Sequence, residues 1–131
     1  RGRNPARAMA MFNACKEQTK VSQDDLEILE KKEVPTSKTG KCFMACMMEK
    51  SRIMKNGKYD KTRALNVAKK VFRNNATNLQ QAQTVIETCD TQANSVSDKC
   101  EVAAKLAQCM KENNLADKRK EQEEGGEGET A

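Results

Sequence analysis

Six cysteines are the residues of this chain best suited to covalent chemistry: Cys15, Cys42, Cys46, Cys89, Cys100 and Cys109. As nucleophiles they lack an activating base. The 131-residue sequence has no His, which removes any Ser-His or Cys-His pair and any His-containing zinc site. As metal ligands they are badly spaced, since Cys42 and Cys46 form a Cys-x-x-x-Cys pair and no second close pair completes a thiolate site. The Cys-x-x-Cys that a redox centre needs at a helix start is also missing. Cross-linking is what remains. Apolar residues make up 37% of the chain and aromatic ones 3%, so a disulfide scaffold is predicted to supplement a modest core. These absences argue against an enzyme and against a resident metal or cofactor.

The elements that must position the cysteines read as helices. Asn4 with Pro5 makes an N-cap and first helical position, and Ala8, Met11, Phe12 and Cys15 recur at helical spacing to about Thr19. Ser22-Gln23-Asp24-Asp25 resembles a capping box and opens a short helix through Leu26 and Leu29. Pro35 ends that region. Thr39 is predicted to cap a third helix from Gly40 to about Met54, and Asn56-Gly57 to make a turn. Asp60 caps a fourth, with Ala64, Leu65, Ala68, Val71 and Phe72 on one face. After a break at 75–78 a fifth carries Leu79, Ala82, Val85, Ile86 and Cys89, and Ser97-Asp98 opens a sixth that ends near Asn113-Asn114. The expectation is all-α: six helices and no strand. Asn75-Ala76-Thr77 also matches a glycosylation triplet, a pattern that often arises by chance.

Helix geometry restricts the cysteines. Cys42 and Cys46 stand one turn apart, with Cβ atoms about 5–6 Å apart, whereas a disulfide needs about 3.5–4.5 Å. Cys100 and Cys109 lie roughly 13 Å apart along one helix. Excluding both pairs leaves ten of the 15 arrangements that six cysteines allow. Cys100 and Cys109 also project from opposite sides of their helix, so it must be stapled to two neighbours, with Ala103, Leu106 and Met110 held inward between the staples. On the third helix Cys42 and Cys46 share a face, Met44 and Met48 lie nearly opposite, and Phe43 and Met47 fill a third direction.

Charge divides the chain. Residues 1–120 carry 24 basic and 14 acidic side chains, a net of +10, while residues 121–131 add five Glu and no base. The expected organisation is a single helical domain over 1–116 and a charged, largely disordered tail over 117–131. The longest apolar run, Cys42 to Met48, is seven residues, against roughly 20 for a membrane span. The start at Arg1, without an apolar leader, reads as a secreted form whose signal peptide is already removed.

The intervals Cys-x26-Cys-x3-Cys-x42-Cys-x10-Cys-x8-Cys resemble those of the six-cysteine insect odorant-binding proteins, which include pheromone-binding proteins. Val34-Pro35, Thr39-Gly40-Lys41-Cys42-Phe43 and Asn56-Gly57-Lys58-Tyr59-Asp60 resemble the family's local sequence as well. The resemblance spans about residues 8–113. It implies an internal hydrophobic cavity and the bridges Cys15–Cys46, Cys42–Cys100 and Cys89–Cys109. It also implies a small hydrophobic ligand, transport through aqueous fluid such as sensillum lymph, and an olfactory receptor complex as a partner. Carried over by offset from the cysteines, the implied ligand-binding residues are Ala8, Phe12, Met44, Met48, Ile53, Met54, Leu65, Ala68, Phe72, Ala82, Ile86 and Met110. The chain departs from the family in lacking His and Trp and in its acidic tail. The alternative reading is a basic, disulfide-stapled module that binds an anionic surface or partner. Lys31-Lys32 and Lys69-Lys70 are scattered as on a solvated face, and four aromatic residues offer no stacking platform for nucleic acid.

Overall fold

A computed structural model describes residues 5–113. In chain order it comprises α1 (Pro5–Thr19), α2 (Gln23–Glu30), α3 (Lys38–Lys50), β1 (Met54–Lys55), β2 (Lys58–Tyr59), α4 (Lys61–Val71), α5 (Ala76–Ala93) and α6 (Lys99–Glu112). The expected Asn4 cap and the tail over 117–131 lie outside the described residues.

Side-chain caps start five of the helices. Ser22, Ser37, Asp60, Asn75 and Asp98 each accept a backbone N–H of the first turn of α2, α3, α4, α5 and α6 respectively. Two of these differ from expectation. Ser37, not Thr39, caps α3. The reason is tertiary: Ser37 Oγ donates to Asp25 Oδ2 at 2.6 Å while it accepts the Gly40 N–H at 3.0 Å. Likewise α5 begins at Ala76, because Asn75 Oδ1 takes the Asn78 N–H at 2.9 Å and turns the expected break into a cap.

The third helix stops at Lys50, four residues short of the expected Met54. Arg52 takes a left-handed φ of 65°. Its N–H bonds Glu49 O and that of Ile53 bonds Met48 O, the paired closure of a Schellman motif. Ser51 Oγ caps the carbonyls of Met47 and Met48. The chain then makes a small antiparallel hairpin, Met54 opposite Tyr59 and Lys55 opposite Lys58, where no strand was expected. Asn56 and Gly57 both have positive φ (54° and 79°), the mirror-image turn that a two-residue hairpin demands.

Helix α6 is the central member and packs on both α3 and α5, while α1 packs on α3 and α4 on α5. Its Val102, Ala103 and Leu106 are fully enclosed. The disulfides run Cys15–Cys46 (α1 to α3), Cys42–Cys100 (α3 to α6) and Cys89–Cys109 (α5 to α6), with no free thiol. Thus α6 is stapled at both ends, to different neighbours. In a chain-entropy picture each bridge alone stabilises by about 3–4 kcal/mol, comparable to a large part of a small domain's total stability.

Candidate functional site

Because α3 is apolar on several sides, it divides the interior in two. Met44 and Ala45 face a main cluster with Met54, Tyr59, Ala68, Phe72, Ala82, Val85, Ile86, Leu106 and neighbours from α4, α5 and α6. Phe43 and Met47 face a smaller cluster with Phe12, Cys15, Val21 and Leu26. The split follows the three directions in which the α3 side chains project.

The twelve implied ligand-binding residues separate along the same line. Met44, Met54, Ala68, Phe72, Ala82 and Ile86 are buried members of the main cluster, and Met48, Ile53, Leu65 and Met110 are half-buried against it. These ten are brought together. Phe12 is not among them; it belongs to the smaller cluster, edge-on to Phe43 with ring centroids 5.4 Å apart. Ala8 is exposed in the first turn of α1. The spacing reading omitted Tyr59, Val102 and Ala104, all buried in the main cluster. For Tyr59 the available clue was the Asn-Gly turn, whose hairpin register places it opposite Met54.

Tyr59 is held on both sides for a residue of so short a strand. Its N–H donates to Asn94 Oδ1 at 2.9 Å, and Asn94 Nδ2 donates to its carbonyl at 3.3 Å and to Asp90 Oδ1 at 2.9 Å. A side-chain amide at the end of α5 therefore acts as the partner strand that this edge lacks. Burial, reinforced by the charge of Asp90, pushes the phenol well above the ordinary tyrosine range.

Two surface clefts accompany these clusters, and both are polar. One of about 640 Å³ is lined by Lys55, Asn56, Tyr59, Asp60, Lys61, Thr62, Arg63, Asn66 and Asp90. The other, of about 400 Å³, is lined by Arg7, Met11, Lys50, Ser51, Arg52 and Arg63. Among the described residues no three Cys, Asp or Glu side chains converge in a way that would hold a metal ion. No helix among them is long and apolar enough to cross a membrane.

The helix order, the two-ended stapling of α6 and the enclosed apolar cluster agree with the cysteine spacing. A sequence profile of the PBP/GOBP family matches residues 3–113. The chain belongs to this family of insect odorant-binding proteins. It is similar to general odorant-binding protein 19d of Drosophila melanogaster, with 29% identity over 110 residues, 83% of this chain and 73% of the relative. Among solved structures it is similar to the odorant-binding protein OBP28a of Drosophila melanogaster, with TM-score 0.62 and 26% identity over 92% of this chain and 93% of the other. It also shares the fold of OBP56a, a fatty acid binding protein from the oral disk of the blowfly Phormia regina. There the TM-score is 0.64 at 22% identity, over 83% of this chain and 90% of the other. Odorant-binding proteins of this family are carriers of small hydrophobic ligands rather than enzymes, and are generally secreted.

Proposed function

We propose that this chain is a secreted carrier that encloses one odorant- or pheromone-like molecule against its main apolar cluster and takes it through aqueous fluid. Met44, Met48, Ile53, Met54, Leu65, Ala68, Phe72, Ala82, Ile86 and Met110 form the wall of the site, while Phe12, in the smaller cluster, and the exposed Ala8 lie apart from that wall. The observation that carries the reading is the convergence of ten of these twelve residues, from α3, β1, α4, α5 and α6, on one cluster. Four of the ten are half-buried, so the cluster is not sealed on every side. Four of the ten are also methionines, whose flexible thioethers adapt to varied shapes. Burying about 300 Å² of ligand surface at about 25 cal/mol per Å² gives a gross gain near 7 kcal/mol. Association and ordering reduce it, and any hydrogen bond to the ligand adds to it, so micromolar affinity is expected.

A second reading has one observation in its favour. The smaller cleft gathers Arg7, Lys50, Arg52 and Arg63 with no carboxylate in its lining, which suits an anionic partner. Displacement of a bound fluorescent apolar probe by aliphatic volatiles, repeated at low and high salt, separates the two. Saturable displacement that changes little with salt supports the carrier. Binding that responds only to anions and falls steeply with salt supports the basic module instead.

A further inference from the structure

Among the described residues, one buried side-chain polar atom has no hydrogen-bond partner: the hydroxyl of Tyr59. The rest of the residue is fully engaged, with both backbone groups held by Asn94 and 4% of its surface exposed. A buried tyrosine hydroxyl usually finds a partner, because an unpaired one is disfavoured relative to phenylalanine in the same space. The main cluster therefore contains one polar atom whose hydrogen-bonding capacity is unspent.

We propose that the Tyr59 hydroxyl is the anchor of the ligand site, donating to the single neutral oxygen of an alcohol, aldehyde, ketone or ester whose hydrocarbon part lies against the main cluster. This rests on the carrier reading and names its ligand class. Two observations select that class. The first is number: a phenol offers one donor, and the main cluster supplies no other buried polar side chain. Asp25, the one buried charged residue among those described, already accepts from Ser22, Ser37 and Thr39. A ligand with several polar groups would leave most of them unpaired.

The second is sign. Burial, reinforced by the nearby charge of Asp90, keeps the phenol protonated, hence a donor. A buried carboxylate needs a buried cation beside it, and no Lys or Arg among the described residues is buried. A neutral oxygen satisfies both conditions.

The test uses the full chain and its Tyr59→Phe variant, with octane, 1-octanol, octanal and octanoate displacing a fluorescent apolar probe. In the unaltered chain octanol and octanal are expected to bind roughly two- to tenfold tighter than octane, the range of one hydrogen bond. Tyr59→Phe should erase that margin and leave octane unchanged, and octanoate should bind more weakly than octanol in the unaltered chain. With one Tyr and no Trp, the near-ultraviolet tyrosine band reports this residue alone, and it should shift on adding octanol but not octane. Because the hydroxyl is unpaired without ligand, Tyr59→Phe should keep or raise the melting temperature. A margin that survives in Tyr59→Phe, octanoate binding tightest, an unmoved tyrosine band or a lowered melting temperature would each overturn the assignment. If octane displaces the probe as well as octanol does, the anchor fails and the carrier stands. If none of the four displaces it, the carrier reading fails and the anchor with it.

Discussion

Asp25 shows how one side chain can set the positions of two helices. Its carboxylate accepts from the hydroxyls of Ser37, Ser22 and Thr39, so it couples the cap of α2 to the cap of α3. Chiefly the Ser37 bond, against the opposing effect of burial, holds its pKa below the usual carboxylate value. A depressed pKa means stability fully present above the unfolded value of about 3.9 and lost progressively as pH falls from there through the lower folded value. Asp25→Asn should therefore cost about 1–3 kcal/mol in urea unfolding at neutral pH, and the gap between variant and parent should narrow below about pH 4. A gap of constant size down to low pH would contradict the charge-based account. Half of this was legible. Ser22-x-x-Asp25 reads as a cap from spacing alone. That Ser37 rather than Thr39 begins α3 was not legible, because both hydroxyls suit the role and the choice is made by a carboxylate twelve residues away. Tyr59 shifts in the opposite direction. Because burial disfavours its ionised form, Tyr59 leaves the fold unpenalised below about pH 10 and destabilises it as pH rises beyond. Phenolate absorbance should stay flat in the native protein through the pH range where the unfolded, reduced chain titrates, and coincident curves would contradict its burial.

The ends of α1 at Thr19 and of α6 at Glu112 fall where the spacing puts them, although neither is marked by glycine or proline. Asn56-Gly57 marked its turn, yet the strands beside it are two residues each, too short for apolar alternation to register. The end of α3 was overrun because an arginine, not a glycine, occupies the left-handed position at its C-terminus. L-residues are strained there, so Arg52→Gly should stabilise the fold by about 0.5–1 kcal/mol, and Arg52→Val should destabilise it. Thermal unfolding of the two variants checks the sign, and equal effects would argue against strain at this turn. The start of α3 has the converse constraint. A Cβ on Gly40 would stand 2.6 Å from Pro35 Cβ and 2.9 Å from its Cγ, within a closed proline ring that cannot swing aside. Gly40→Ala should destabilise by about 1–3 kcal/mol through overpacking, measurable by chemical unfolding.

At the scale of the molecule, the cysteines carried most of the information. Helical spacing alone required α6 to be tied to two neighbours, and the structure ties it to α3 and α5. Which apolar residues would share one cluster was less legible, since Phe12 and Phe72 look alike in sequence and only the orientation of α3 sends them to different clusters. The chain also lacks the usual device for acid-triggered release. It has no His, and the four shifted groups among the described residues move away from the mildly acidic range: Asp25 and Asp98 downward, Tyr59 and Lys61 upward. Affinity for an apolar ligand should accordingly differ less than about threefold between neutral and mildly acidic buffer, a shift well under 1 kcal/mol. A tenfold loss in acid would point to a titrating group beyond those described.

Calorimetric titration of the full chain with 1-octanol at several temperatures tests the central claim most directly. Enclosure of an apolar molecule in the protein interior predicts saturable binding of one ligand per chain at micromolar affinity, with a negative heat-capacity change that persists at high salt. The absence of saturable binding, or binding whose heat capacity is unchanged and which vanishes with added salt, would contradict it.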